Sequence, residues 1–318
     1  MVRLEFTIDL DYELAAASDF VFAIAAAKTA AQRLAGESLH FSRPVASRWF
    51  GDSQLGTRSL RVHAGAGALH VAYGACVEIR HHVCDPATLR ESAIDDIPDD
   101  VLPYLAASRY CQSDRLIEFA HAEFGGFDAG YSRVEAIRRW VHDHVRFSSG
   151  SSTTATTALD TLADRRGVCR DFAHLMIALC RAANVPARVV TGVDYGADPQ
   201  LGPCDFHAYV EAWLGDRWYL FDPTDISPVT GLVRIGTGRD AADVAFATIF
   251  GAVRTFAPVI AVKAIEDTAK GIRLPTRTQL AVSTAGPATH ESQPAAGNHE
   301  SVLPLLLHSP PQGLRPQG

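Results

Sequence analysis

The first residues of the chain alternate between apolar and polar side chains with a period of two. This is the period of a strand with one buried face, and it runs through Leu4, Phe6, Ile8 and Leu10. Shorter alternations follow between glycines, at Leu60 and Val62, at Leu69 to Tyr73, and at Val77 and Ile79. Turn signals at this spacing predict an antiparallel β-sandwich domain over residues 1–84.

One segment of this domain carries conflicting signals. Residues 15–35 are rich in alanine and favour a helix by propensity. Within them, however, Phe20, Phe22 and Ile24 alternate as the buried positions of a strand do. We therefore expect a strand near residues 19–26.

The pattern changes after residue 84. Residues 85–127 are rich in turn formers and are predicted to connect two domains. An apolar stripe at helical spacing then opens a second domain, predicted over residues 128–270; it comprises Val134, Ile137, Val141 and Val145. Residues 275–318 are rich in proline and contain no Phe, Tyr or Trp, which predicts a disordered tail.

Composition narrows the possible partners. The 318 residues have a net charge of −7, and no basic run is interleaved with aromatic residues. This argues against binding to nucleic acid or to an anionic membrane. The apolar stretches are far shorter than the roughly 20 residues of a membrane-spanning helix, and the first residues lack the apolar region of a signal peptide. We expect a cytoplasmic protein; the sequence predicts no oligomeric state.

The six cysteines raise a question of chemistry. A cytoplasmic chain of this length does not depend on a disulfide framework, and without a C-x-x-C pair a zinc site is not expected. Cys169 is the candidate nucleophile because it begins an amphipathic helix that follows Gly167. A helix N-terminus favours the thiolate, and its free N–H groups can stabilise an oxyanion. Cys180, on the apolar face of the same helix, fits the role of a buried hydrophobe.

A base and a carboxylate are predicted from a hairpin farther along the chain. Two alternating segments flank the turn Gly215-Asp216, which pairs Leu214 with Arg217. This register places His207 and Asp222 on one face of the hairpin as diagonal neighbours, with Thr224 opposite His207. Diagonal neighbours are about 7–8 Å apart at the backbone, close enough for a carboxylate to reach an imidazole.

Four blocks occur in the order found in the transglutaminase-like superfamily, which this sequence resembles over roughly residues 130–226. They are Gly167-Val168-Cys169-Arg170-Asp171, Asn184-Val185-Pro186-Ala187-Arg188, His207-Ala208-Tyr209-Val210-Glu211 and Asp222-Pro223-Thr224. The resemblance implies an α+β, papain-like core with Cys169 as nucleophile, His207 as base and Asp222 as the group that orients the base. One departure is Tyr209, where the family often has tryptophan, and we expect it to alter the wall of the acyl site.

The resemblance also implies a reaction. The Cys169 thiolate would attack a peptide or carboxamide carbonyl and form a thioester, which water hydrolyses or an amine captures. Bacterial relatives with this layout are commonly cysteine proteases or amidases, which favours hydrolysis of a peptide or protein substrate. No cofactor and no metal are expected.

Two alternatives remain open from the sequence. Arylamine N-acetyltransferases also use Cys, His and Asp on this fold with an Arg-Gly-x-Cys segment, although their cysteine lies nearer the chain start. Some transglutaminase-like domains lack the triad and act as interaction modules, but all three residues are present here. His174 lies at i+5 from Cys169, so on a helix it points away from the thiol and is expected to be structural.

Overall fold

A computed structural model describes residues 1–52, 54–197 and 204–285, which form four α-helices and seventeen strands. The helices are α1 (Ile117–Phe124), α2 (Tyr131–His144), α3 (Ala158–Asp164) and α4 (Cys169–Ala182). The first strands are β1 (Val2–Leu14), β2 (Ser18–Phe22), β3 (Gln32–Phe41), β4 (Ala46–Gly51), β5 (Arg58–Ala64), β6 (Gly67–Ile79), β7 (His82–Cys84), β8 (Arg146–Phe147) and β9 (Arg166–Gly167). The remaining strands are β10 (Ala187–Asp194), β11 (His207–Leu214), β12 (Arg217–Phe221), β13 (Leu232–Gly238), β14 (Ala247–Phe250), β15 (Val253–Thr255), β16 (Val259–Ile265) and β17 (Ala281–Ser283).

The amino-terminal strands form the predicted antiparallel sandwich. One sheet has the order β15-β1-β6-β3, with β16 also paired to β1, and the other has the order β14-β2-β5-β4. Their facing side chains share one core, including Leu4, Phe6, Ile8, Phe20, Phe22, Leu60 and Val62. The period-two pattern of β1 therefore arises as predicted, because one face of the strand is buried against a second sheet.

Two details of this domain differ from the prediction. Strand β2 ends at Phe22, and residues 23–27 continue as buried, non-strand backbone. Strand β6 passes straight through Gly74, one of the glycines between the alternating segments at which the sequence predicts a turn. A β-carbon at Gly74 would lie 3.2 Å from Ser38 Oγ, so glycine allows the close approach of a neighbouring strand rather than a reversal.

The predicted domain limits also differ from the structure near residue 270. Strands β15 and β16 pair with β1, and β14 pairs with β2, so residues 247–265 complete the sandwich and do not extend the second domain. Strand β17 pairs with β7 and is buried, so the segment from residue 275 is not wholly a disordered tail. Residues 286–318 lie outside the described residues.

The second half of the fold is α+β, as predicted. Its sheet has the antiparallel order β12-β11-β10-β13, and α4 packs across β10 and β11 within one apolar core. Helices α1, α2 and α3 surround α4, and the apolar stripe of α2 contributes Val134, Ile137 and Val141 to this core. Between Phe172 and Ala182 every residue of α4 is buried, which holds its first turn in a fixed position at one end of the sheet.

The hairpin has the predicted register. Leu214 pairs with Arg217, and Trp213 pairs with Trp218. His207 is the first residue of β11, and Asp222 follows the last residue of β12. The two residues therefore reach the same end of the hairpin.

In the part of the chain that the structure describes, we find no helix with the length and apolarity needed to cross a membrane.

A buried ion cluster connects strands β10, β11 and β13 of the sheet in the second half of the fold. Glu211 on β11 is fully buried, and its Oε2 accepts hydrogen bonds from Arg188 Nε at 2.7 Å and Arg234 Nη1 at 3.2 Å. Burial pushes the pKa of Glu211 up, but the two guanidinium groups outweigh it and hold the pKa at about 2. The Arg188 guanidinium also lies 4.0 Å from the centre of the Trp218 ring.

We predict that Glu211→Gln lowers the free energy of unfolding at pH 7 by about 3–5 kcal/mol, because it leaves a buried positive charge without its partner. The ordinary pKa of 4.5 is lowered by folding to about 2, so the contribution is present above pH 5 and is lost as the pH falls towards 2. Urea denaturation should therefore show that the difference in free energy of unfolding between wild type and variant falls by about half from pH 6 to pH 3. A difference that is constant over this range would contradict the assignment.

Candidate active site

Cys169 is the first residue of α4, and the residues around it explain the local sequence. Val168 caps the helix in extended conformation, and its N–H donates to Asp171 Oδ2 at 2.9 Å. The buried Asp171 carboxylate also accepts from Ser152 Oγ at 2.9 Å. Asp171 therefore satisfies backbone at the helix start, as its position in the first turn predicts.

Gly167 has a packing role that its sequence does not reveal. A β-carbon at this position would lie 2.6 Å from Asp171 Cβ and 2.9 Å from Asp171 Oδ2. Because real side chains do not approach so closely, only glycine lets the Asp171 carboxylate close over the helix start. Gly167 and Asp171 are thus one unit that places Cys169.

The six cysteines differ in their surroundings. Cys111 and Cys180 are fully buried, and burial raises the pKa of Cys111 to about 12 and the pKa of Cys180 further. Burial also raises the pKa of Cys204 to about 11. Cys169 is half-buried, and its Sγ lies 3.8 Å from the Phe206 carbonyl oxygen, directly before His207. Of these four thiols, Cys169 is the one at a helix N-terminus, where the N–H groups of the first turn lie outside the helical ladder.

The structure brings His207 and Asp222 together. His207 Nε2 and Asp222 Oδ1 are 3.3 Å apart, and both side chains are buried. The Thr224 hydroxyl lies 3.3 Å from the same nitrogen and donates to Asp222 Oδ1 at 2.6 Å. Nε2 therefore faces the carboxylate, which leaves Nδ1 as the nitrogen for exchange of a proton with a thiol.

The electrostatics of the pair favour its charged form. Burial pushes the pKa of His207 down, but the Asp222 carboxylate and the Cys169 thiol outweigh it, so the pKa lies well above its usual value. Burial pushes the pKa of Asp222 up, but His207 and the Thr224 donors outweigh it, so the pKa lies below its usual value. The structure thus favours an imidazolium beside a carboxylate.

The turn after β12 fixes Asp222. Its Oδ1 accepts the Thr224 N–H at 2.9 Å, and its Oδ2 accepts the Ile226 N–H at 3.2 Å. Asp225 adopts a left-handed backbone with φ of 52°, and Arg277 forms an ion pair with its carboxylate and donates to its carbonyl oxygen. A segment that the sequence assigned to a tail therefore clamps the turn that carries the carboxylate.

Two contacts of His207 were missed from the sequence. Tyr209 is fully buried and packs edge-on against His207, with ring centres 4.6 Å apart, so it supports the imidazole. Asp194 also lies beside His207, with its Oδ2 3.9 Å from Nδ1, but its position on a strand gave no sign of this. His174 fulfils the expected structural role: it is buried, stacks on Tyr110 and accepts the Ala241 N–H at 3.1 Å.

Residues 1–52, 54–197 and 204–285 contain no group of three or more His, Cys, Asp or Glu side chains arranged to hold a metal ion.

Comparison with known proteins places these residues in a family context. The profile of the transglutaminase-like superfamily matches residues 118–223, which include all three predicted site residues. A Cytophaga hutchinsonii protein, whose crystal structure is provisionally described as that of a cysteine protease, superposes with a TM-score of 0.83. The two sequences are 36% identical, and the match covers 89% of this chain and 97% of that one.

Two curated relatives match a shorter stretch. An uncharacterized Mycobacterium leprae protein is 35% identical over 117 residues, which are 35% of this chain and 42% of that protein. A Pseudomonas aeruginosa protein-glutamine gamma-glutamyltransferase is 29% identical over 154 residues, which are 44% of this chain and 22% of that protein. The matches thus span less than half the length of either relative.

We predict that Gly167→Ala destabilises the protein by about 1–3 kcal/mol, because the added methyl group forces Asp171 away from the helix start. Gly65→Ala is the matched control, since a β-carbon at Gly65 meets nothing within 4 Å, and should change stability by less than about 0.5 kcal/mol. Thermal and urea denaturation measure both variants. Equal stability of the two variants would show that the approach of Asp171 does not require glycine.

Proposed function

Since the chain belongs to the transglutaminase-like superfamily, we propose that it hydrolyses a peptide or carboxamide bond with Cys169 as nucleophile, His207 as base and Asp222 as the group that orients the base. The observation that carries the proposal is the position of His207. His207 begins β11 directly after Phe206, whose carbonyl oxygen contacts the Cys169 thiol. Its Nε2 faces the buried carboxylate of Asp222. A nucleophile, a base and an orienting group in this relation form a triad.

The proposed reaction has two halves. His207 holds the proton of Cys169, and the thiolate attacks the carbonyl carbon to form a C–S bond and an oxyanion. The N–H of Cys169, at the helix start, stabilises the oxyanion. The imidazolium then gives its proton to the leaving nitrogen, the C–N bond breaks, and a thioester and an amine or ammonia result.

In the second half His207 is neutral and acts as a base. It takes a proton from water, the hydroxide attacks the thioester carbonyl, and the C–S bond breaks to release a carboxylic acid. The proton returns to the Cys169–His207 pair, so the cycle closes with one water consumed. The thiol, the imidazole and water account for every atom transferred.

One comparison supports a primary amine as a second acceptor of the acyl group. The Pseudomonas aeruginosa relative bears the name protein-glutamine gamma-glutamyltransferase, and the same thioester would transfer its acyl group to a primary amine. The protein would then join a carboxamide-bearing peptide to an amine. We propose hydrolysis as the main reaction and amine transfer as the competing one.

We predict that the purified protein releases ammonia or amine from members of a peptide-amide library and that Cys169→Ala abolishes this release. Cys76→Ser is the matched control, because Cys76 is also a partly exposed free cysteine but lies in the sandwich strand β6, and it should retain full activity. Adding a primary amine separates the two acceptors by mass spectrometry: a free acid indicates hydrolysis and a mass increase indicates transfer. Activity that survives Cys169→Ala would refute the proposed function.

We predict that Asp222→Ala leaves a folded protein whose kcat/KM is lower by about 10²–10⁴-fold, as for loss of an acid–base partner. Wild-type activity should persist well above pH 6.5 and fall as the pH rises through the raised pKa of His207, because the imidazolium must protonate the leaving nitrogen. In Asp222→Ala this alkaline limb should move to lower pH.

The same change should slow alkylation of Cys169 by iodoacetamide near neutral pH, since less thiolate is paired with imidazolium. Circular dichroism and the melting temperature check that the variant is folded. If a folded Asp222→Ala variant keeps the wild-type pH profile, Asp222 has no part in the mechanism.

A further inference from the structure

A second carboxylate lies beside His207. Asp194 is the last residue of β10 and is only 6% exposed. Its Oδ2 accepts hydrogen bonds from Ser227 Oγ at 2.7 Å and from Tyr209 Oη at 3.0 Å. The same oxygen lies 3.9 Å from His207 Nδ1. The proposed triad assigns no role to this buried group.

The geometry distinguishes the two sides of the imidazole. Nε2 faces Asp222 Oδ1 at 3.3 Å, whereas Nδ1 lies on the side of Asp194, 3.9 Å from its Oδ2. Tyr209 packs edge-on against the ring with an interplanar angle of 72°, and its hydroxyl group is bound to Asp194. Asp194 therefore fixes the residue that supports the ring and also places a negative charge near Nδ1.

We propose that Asp194 is a positioning residue that strengthens the hold of His207 on its proton at each stage of the reaction cycle. Its charge is present whether or not the Cys169 sulfur is charged. In the free enzyme the thiolate itself balances the imidazolium, but the sulfur of a thioester is neutral. From that point only the two carboxylates on either side of the ring favour the protonated form.

Other polar or titratable groups face the imidazole from each element packed around it. They are Cys169 on α4, Tyr209 on β11, Cys204 shortly before β11, and Asp222 and Thr224 after β12. Asp205 is exposed, and its carboxylate accepts the N–H of Phe206. Arg138 donates to the Asp222 carbonyl oxygen. Asp194 and Asp222 are thus the two buried carboxylates that contact the imidazole among the described residues.

The proposal is tested on a protein without the thiol. In Cys169→Ala the titration of His207 is followed by NMR, with the signal assigned by comparison with Cys169→Ala/His207→Gln. Adding Asp194→Asn keeps the shape of the side chain and an acceptor for Tyr209 but removes the charge. We expect the His207 midpoint to fall by about one pH unit or more, as for loss of an opposite charge within 4–6 Å.

Two controls separate charge from structure. Ser227→Ala removes a hydrogen bond to Asp194 but keeps the carboxylate, so the midpoint should stay within about 0.3 pH unit of the parent. Asp194→Glu restores the charge and should return the midpoint towards that of the parent. If Asp194→Asn does not fold, Asp194→Ser tests the same loss of charge with a hydroxyl acceptor. If a folded Asp194→Asn or Asp194→Ser variant has the same His207 titration midpoint as the parent, the proposal is overturned.

This inference rests on the proposed function for its meaning, but the titration needs no substrate. A lowered midpoint in a protein that turns over no amide would support the role of Asp194 and refute the proposed activity. In an active enzyme the alkaline limb of kcat/KM should also move to lower pH in Asp194→Asn. If the enzyme turns over its substrate but Asp194→Asn changes neither the alkaline limb nor the His207 midpoint, the role of Asp194 is refuted and the proposed function is not.

Discussion

His207 and Asp222 lie 3.3 Å apart with both side chains buried, and the proposed chemistry depends on this pair. Burying two charges costs more than their attraction returns unless hydrogen bonds satisfy the remaining polar atoms. The turn after β12 meets that condition, because Thr224 and Ile226 donate to the carboxylate from the backbone. The carboxylate is therefore held by the chain before any substrate is present.

The rest of the fold serves to hold this end of the sheet in place. Buried α4 fixes the thiol on one side, and the Arg277 clamp fixes the turn on the other. The sandwich is joined to the same sheet, since Gln32 exchanges two hydrogen bonds of 2.8 Å with the backbone of Arg234 on β13. The Arg234 side chain in turn contacts Glu211 on β11. A continuous polar network thus runs from the amino-terminal domain to the strand that carries His207.

The features that could be predicted from the sequence are those that local rules determine. A two-residue turn fixes a hairpin register, so the alignment of His207 with Thr224 followed from counting. The helix start at Cys169 followed from the apolar period and a glycine. The pairing of residues 247–265 with β1 and β2 joins segments far apart in the chain, and no local pattern reports the partner of such a strand. The contact between Asp194 and His207 was missed for the same reason, since β10 and β11 pair through a connection whose length leaves the register free.

The proposed triad alone would not decide which acceptor receives the acyl group, because water and an amine would meet the same proposed thioester. The protonation of His207 does distinguish them. Water needs a neutral imidazole to remove its proton, whereas an unprotonated amine attacks without that help. A carboxylate that favours the protonated form of His207 in the thioester, as proposed for Asp194, would therefore reduce the fraction of neutral imidazole and slow hydrolysis more than aminolysis at neutral pH. The balance between protease-like and transferase-like behaviour would then depend on the charge beside Nδ1 rather than on the three residues proposed to form and break the bonds.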